Sequence, residues 1–147
     1  MRSLSLCATL CALSLLSACG DEAAVIDFCG ESELQSLPRD SYPGGPYGTA
    51  ACSTIDNLEL VNTDQSPLTL QALRADPNTQ ILLVTTSAGW CTACIEEQPE
   101  LQALHDEFSA KGLAVVVTVF EDQNYQPIDG AYADRWKRQY NLSFTVV

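Results

Sequence analysis

Ile81-Leu82-Leu83-Val84-Thr85-Thr86-Ser87-Ala88-Gly89-Trp90-Cys91-Thr92-Ala93-Cys94 is the stretch on which the reading of this chain turns. Residues 81–85 are apolar or β-branched without interruption, the mark of a parallel strand covered on both faces. Gly89 marks a tight turn, and the segment from Ile95 to Ala110 carries Leu101, Leu104 and Phe108 at three- and four-residue steps. That spacing predicts a helix with those three side chains facing inward, ended by Lys111-Gly112. Pro99 inside it removes one hydrogen bond and is expected to kink it. Cys91 and Cys94 therefore fall on one turn at the head of a helix, close enough to bridge. Unpaired N–H groups and the dipole at that end favour an anion, which lowers the pKa of Cys91 and supplies the thiolate that attacks disulfides.

Trp90-Cys91-Thr92-Ala93-Cys94 after a hydrophobic strand, with Glu97, Pro99 and Glu100-Leu101 following, resembles the thioredoxin-like family. Within it the likeness is to bacterial extracytoplasmic thiol–disulfide oxidoreductases of the redoxin type, in their lipoprotein form. The resemblance covers roughly the last two thirds of the chain. It implies an α/β fold: a central, mostly parallel sheet flanked by helices and preceded by a β-hairpin. It also implies that Cys91 attacks and Cys94, the more buried, resolves. Trp90, Thr92, Ala93 and Pro99 would support them, with Trp90 shaping the surface beside the sulfur. Thr92-Ala93 stands where strongly reducing relatives carry Gly-Pro or Pro-Pro, and Thr85 where relatives carry a buried acid. Thr86 and Ser87 replace aromatic residues. Family members continue with a segment containing a cis-proline, so the domain is expected to be truncated before it. Peroxiredoxins carry Pro and Thr seven and three residues before the reactive cysteine; before Cys91 those positions hold Val84 and Ala88, which argues against peroxidase chemistry.

The rest of the chain fits one domain. Its 147 residues are too few for two comfortable ones, and a formal charge of −12 argues against a nucleic-acid partner. Arg2 and the apolar run from Leu4 to Leu16 read as a leader too short to span a bilayer. Leu16-Ser17-Ala18-Cys19 is similar to the lipobox of bacterial lipoproteins, which implies cleavage after residue 18 and lipidation at Cys19. A lipid-anchored, extracytoplasmic location in the cell envelope follows from that reading, with a membrane electron-transfer protein as a further partner; the alternative is an ordinary secreted protein cut by the general signal peptidase.

Seven cysteines are present; on the lipoprotein reading Cys7 and Cys11 would leave with the leader and Cys19 would carry the lipid. The remaining four permit three pairings. The simplest is Cys29–Cys52 as a structural staple and Cys91–Cys94 as the working pair, in a compartment that permits disulfides.

Residues 19–53, punctuated by Pro38, Pro43, Gly44, Gly45, Pro46 and Gly48, read as a tether and irregular cap, and 54–147 as the domain. Leu58 and Leu60, then Leu68 and Leu70, alternate with polar residues about a turn at Asn62 to Ser66, which predicts a hairpin. A short helix to Ala75 stops at Asp76-Pro77. Leu113 to Phe120 is a second buried strand, and Glu121 to Pro127 a polar loop at its carboxyl end, on the edge that carries the cysteine pair. Asp129 caps a helix with Tyr132, Trp136 and Tyr140 on one core-facing side, and a third strand begins at Ser143. Glu96, Glu97 and Glu100 in or near the first turns complement the helix dipole. His105, the single histidine, reads as a helix-face residue.

Protein thiols and disulfides are the clients this implies, and no metal or other cofactor is expected. Two other readings stay open on the residues alone. One is a lipid-anchored interaction module whose Cys91–Cys94 bridge is structural or degenerate. The other is a copper or zinc carrier, for which zinc's four N/S ligands would require Cys29 and Cys52 to join the pair.

Overall fold

The computed structural model describes residues 37–147. The expected leader, the expected lipidation site at Cys19 and the cysteine at position 29 lie outside the described residues.

Among those described, the chain opens with turns and then forms an antiparallel hairpin of β1 (Glu59–Val61) and β2 (Pro67–Thr69), with Leu60 opposite Leu68. Asn62 and Ser66 close the turn through the Asn62 N–H to Ser66 carbonyl bond, and Asp64 accepts from the Ser66 N–H at 2.9 Å. Helix α1 (Leu70–Ala75) starts on Thr69, whose hydroxyl accepts from the Ala72 N–H, and ends before Asp76-Pro77 as read from the sequence.

The core is strand, helix, strand, helix, strand. Strands β3 (Ile81–Ala88), β4 (Leu113–Glu121) and β5 (Thr145–Val146) form one parallel sheet in that order. Helix α2 (Thr92–Phe108), a 3-10 turn (Ser109–Lys111) and helix α3 (Gly130–Gln139) make the crossovers. This is the α/β, thioredoxin-like architecture expected: a parallel sheet flanked by helices behind an N-terminal hairpin. Central strand β4 supplies Val115, Val116, Val117 and Val119, all 4% exposed or less. One cluster joins three of these valines to Leu101 of α2, Ala133 and Trp136 of α3, and Leu142, Phe144 and Val146. Each such side chain contributes about 1.5–3 kcal/mol on burial. Gly112 ends the α2 segment at φ 99°, a conformation that strains any residue with a Cβ.

Two expectations need correction. Among the described residues strand β3 is not covered on both faces: it lies at the edge of the sheet they form, Ile81 is 65% exposed, and only Ser87 and Ala88 at its end are buried. A run of apolar residues reports burial on average, whereas strand order decides who sits at the edge. Helix α2 is also rotated relative to the expected stripe. Leu101 is buried and Phe108 half-buried, but Leu104 is 42% exposed, and the inner face carries Gln98 and the half-buried His105 instead. His105 sets its ring edge against Phe144 at 5.7 Å.

The Gly/Pro-rich segment from residue 37 forms no helix, and it is tied down at its start. Arg39 donates to the carbonyls of Arg74, Asp76 and Thr79, and Arg74 donates back to those of Leu37, Pro38 and Ser41.

Candidate redox site

The parallel ladder between β3 and β4 runs in register from Ile81–Leu113 to Ser87–Val119, then slips by one residue so that Ala88 faces Glu121. That bulge turns the chain out of the sheet at its carboxyl edge. The Gly89 N–H donates to the Glu121 carbonyl at 2.8 Å and the Cys91 N–H to that of Ala88 at 3.0 Å, closing the turn. Gly89 passes directly beneath the 121–127 loop. A Cβ there would lie 2.5 Å from the Gln123 nitrogen, 2.7 Å from the Asp122 carbonyl carbon, and against the Tyr132 hydroxyl.

Cys91 is the N-cap of α2, and its sulfur accepts from the Cys94 N–H at 3.2 Å, the role a serine or aspartate oxygen plays at other helices. A thiolate released at this position meets free N–H groups and the positive end of the helix dipole, and the bond from Cys94 becomes charge-assisted. Cys91 and Cys94 are joined in a disulfide with their Cα atoms 5.2 Å apart. Both are half-buried, so in this state burial does not separate attacking from resolving cysteine. Thr92 and Ala93 between them are exposed. Pro99 lies inside α2, where it withholds the N–H that Ile95's carbonyl would accept. The first turn of α2 holds no acidic residue; Glu96, Glu97 and Glu100 sit exposed further along the helix. Cys52 is itself disulfide-bonded.

Trp90 projects beside the disulfide, 41% exposed. Its indole Nε1–H donates to the Glu121 carboxylate at 2.8 Å, its ring stacks on Tyr125 at 5.3 Å, and it meets Phe120 edge-on at 6.3 Å. Phe120 and Tyr125 are themselves 49% and 65% exposed, so an aromatic surface flanks the sulfurs. Behind the pair is a buried polar cluster. Gln98, with no exposed surface, donates to the Cys94 carbonyl and the Ser87 hydroxyl and accepts from the Trp136 indole N–H. Thr85, at the place of the relatives' acid, offers its carbonyl to the Thr118 hydroxyl. Glu121, Tyr125 and Gln98 escaped sequence reasoning; the signal available for the first two was a polar loop assigned to the cysteine edge.

Asp122 builds that loop by accepting from the N–H groups of Asn124 (2.7 Å) and Gln126 (2.9 Å), with Tyr125 held at φ 62°. These bonds, foremost the one from Gln126, hold the Asp122 carboxyl below its ordinary value. A group depressed in the folded state stabilises the loop above its unfolded pKa, and that stabilisation fades as pH falls through the folded value. Acidification below the usual carboxylate range is therefore expected to release Tyr125 from Trp90, read as increased iodide quenching of the exposed tryptophan. An Asp122→Ala variant showing the same acid transition as wild type would refute this.

Residues 53–147 match the AhpC/TSA family model. The chain belongs to the AhpC/TSA family. No curated protein matches it. Among solved structures it is similar to a secreted Mycobacterium tuberculosis disulfide oxidoreductase homologous to E. coli DsbE. The two are 16% identical with a TM-score of 0.45 over 62% of this chain, which spans 59% of the length of that one. In this AhpC/TSA-family chain the residues seven and three before Cys91 are half-buried Val84 and buried Ala88, so no hydroxyl stands three residues upstream of the sulfur. Among the described residues, no group of three or more His, Cys, Asp and Glu side chains is placed to hold a metal ion. No described helix is long and apolar enough to cross a membrane.

Proposed function

We propose that this AhpC/TSA-family chain is a thiol–disulfide oxidoreductase of the cell envelope, exchanging disulfides with client proteins through Cys91 and Cys94. The observation that carries the reading is the disulfide seated on the N-cap of α2, with the Cys91 sulfur already accepting a helix N–H.

In the reducing direction the Cys91 thiolate attacks one sulfur of a client disulfide. The client's other sulfur leaves with the electron pair and takes up a proton. Cys94, deprotonated, then attacks Cys91 Sγ; the Cys91–Cys94 bond forms, the bond to the client breaks, and the second client sulfur leaves as a thiol. Two electrons pass from the pair to the client, and the same steps reversed oxidise a client dithiol. Relative potentials set the direction. Trp90, Phe120 and Tyr125 offer apolar surface to the polypeptide around the client sulfur. Lipidation at Cys19, an extracytoplasmic location, a membrane electron-transfer partner and a Cys29–Cys52 staple belong to the same proposal. The lipobox-like leader supports the first two, and the disulfide-bonded state of Cys52 supports the last.

The test is reduction of insulin by dithiothreitol with the full chain as catalyst. Wild type is expected to accelerate precipitation, and a Cys91→Ala variant to match the uncatalysed rate. Equal rates for both proteins would sink the proposal.

A further inference from the structure

We propose that Gln98 is a positioning residue for the redox pair, a buried amide that fixes the main chain of Cys94 relative to Cys91. The inference rests on the reading of Cys91–Cys94 as a working pair and names what tunes it.

Gln98 lies on the inner face of α2 with no exposed surface, and every polar atom of its amide is used. The amide nitrogen donates to the Cys94 carbonyl at 2.6 Å and to Ser87 Oγ at 3.2 Å, while the amide oxygen accepts from Trp136 Nε1 at 3.2 Å. Chemistry dictates that orientation. Turned over, the amide would set oxygen against the Cys94 carbonyl and N–H against the indole N–H. Three elements, β3, α2 and α3, therefore meet at the Gln98 amide, and that amide alone reaches the main-chain oxygen of Cys94.

Cys94 is held at both ends: its N–H donates to Cys91 Sγ, and its carbonyl receives the amide of Gln98. The brace sits where the helix is thinnest, because Pro99 deprives the next carbonyl, that of Ile95, of its usual donor. A methionine of similar volume would fill the place but would leave the Trp136 indole N–H, the Ser87 hydroxyl and the Cys94 carbonyl without the partner the amide gives them. What the amide adds is direction, aimed at the residue whose sulfur must reach Cys91.

Closing the pair means Cys94 thiolate attacking Cys91 Sγ while the sulfur previously bound to Cys91 leaves with the electron pair and is protonated. The ease of that step follows the effective concentration of one sulfur at the other, which restraint raises. Loss of the brace therefore weakens the disulfide relative to the dithiol.

The experiment equilibrates the full chain with glutathione buffers near pH 6 and reads Cys91 and Cys94 by alkylation and peptide mass, with circular dichroism to verify folding. Gln98→Met is expected to make the pair about tenfold easier to reduce, about 30 mV for a two-electron couple. Gln98→Glu, kept protonated by burial, can still donate to Cys94 and accept from Trp136, and is expected to stay within about twofold of wild type. A purely structural residue would show no such rescue. A folded Gln98→Met variant within about twofold of wild type would overturn the proposal, as would a Gln98→Glu variant displaced as far as Gln98→Met. Should Gln98→Met fail to fold, the ratio of Gln98→Glu to wild type decides between pH 6 and pH 8: a ratio that departs from unity as the acid ionises supports the role, and a flat one overturns it. The equilibrium is read on the pair itself. A chain that equilibrates normally with glutathione but reduces no protein disulfide would defeat the proposed function and leave this inference standing.

Discussion

Replacing Cys94 by alanine is expected to end turnover and to leave Cys91 covalently joined to its clients. The two half-reactions of exchange need different sulfurs. Attack on the client requires only Cys91, which keeps its place as N-cap of α2 when the Cys94 side chain is shortened, because the N–H that reaches its sulfur belongs to the main chain. Resolution requires a second sulfur within bonding distance, and Cys94, with its Cα 5.2 Å away, is the one the fold supplies. Without it, release depends on an external thiol, a bimolecular step that lacks the effective concentration of the intramolecular one. Effective molarities in well-oriented pairs reach about 10⁵ M and more, so turnover falls by several orders of magnitude. On a non-reducing gel the Cys94→Ala chain should run with its client attached and return to its own mass on reduction. Cys91→Ala should show no such adduct. If adducts form equally on both variants, Cys91 is not the attacking sulfur.

How much of this could be read from the chain follows from the range of each signal. Thr69 and Asp129 act as caps on the residues beside them, Gly112 ends a helix by its own backbone, and the alternating leucines of the hairpin need only their immediate neighbours. The order strand, CxxC turn, helix, strand, helix, strand was equally legible, because short connections through helices make a parallel sheet the economical topology. Gln98 was not. A polar residue on the inside of a helix is tolerable only when partners meet it there, and its partners arrive from Ser87, eleven residues back, and Trp136, 38 residues on. With Gln98 and His105 turned inward, the helix face is shifted from the one Leu104 advertised.

The aromatic surface was half legible. Trp90 and the loop were both placed at the cysteine edge, but the hydrogen bond to Glu121 and the stack on Tyr125 depend on how far the β3–β4 bulge carries the chain. The apolar run of β3 misled for a related reason: position within a sheet is a property of the whole order β3-β4-β5, and no residue in the run encodes it. The proline-rich segment was read as spacer from composition, which says nothing of the carbonyls that Arg39 finds near α1.

Gly89→Ala is expected to be strongly destabilising. The cause is not the backbone angle, since Gly112 is the glycine with positive φ; it is the absence of room. A Cβ at 89 meets main-chain atoms, Gln123 N at 2.5 Å and the Asp122 carbonyl carbon at 2.7 Å, together with the Tyr132 hydroxyl. Side chains can swing aside, but these two backbone atoms belong to a turn fastened by Asp122 to Asn124 and Gln126, and they can retreat only if the loop lifts as a unit. Lifting it strains the Gly89 N–H to Glu121 carbonyl bond and draws the Glu121 carboxylate from Trp90. Overpacking of this kind costs about 1–3 kcal/mol and occasionally more, and a clash with backbone belongs at the upper end. For a domain of this size about 3 kcal/mol lowers Tm by more than about 10 °C. Gly44→Ala, where an added Cβ meets nothing within 4 Å, is the control and should stay within about 0.5 kcal/mol of wild type. Equal melting temperatures for the two variants would mean that the 121–127 loop does not rest on Gly89, and with it would go the account of how Trp90 is held beside the sulfurs.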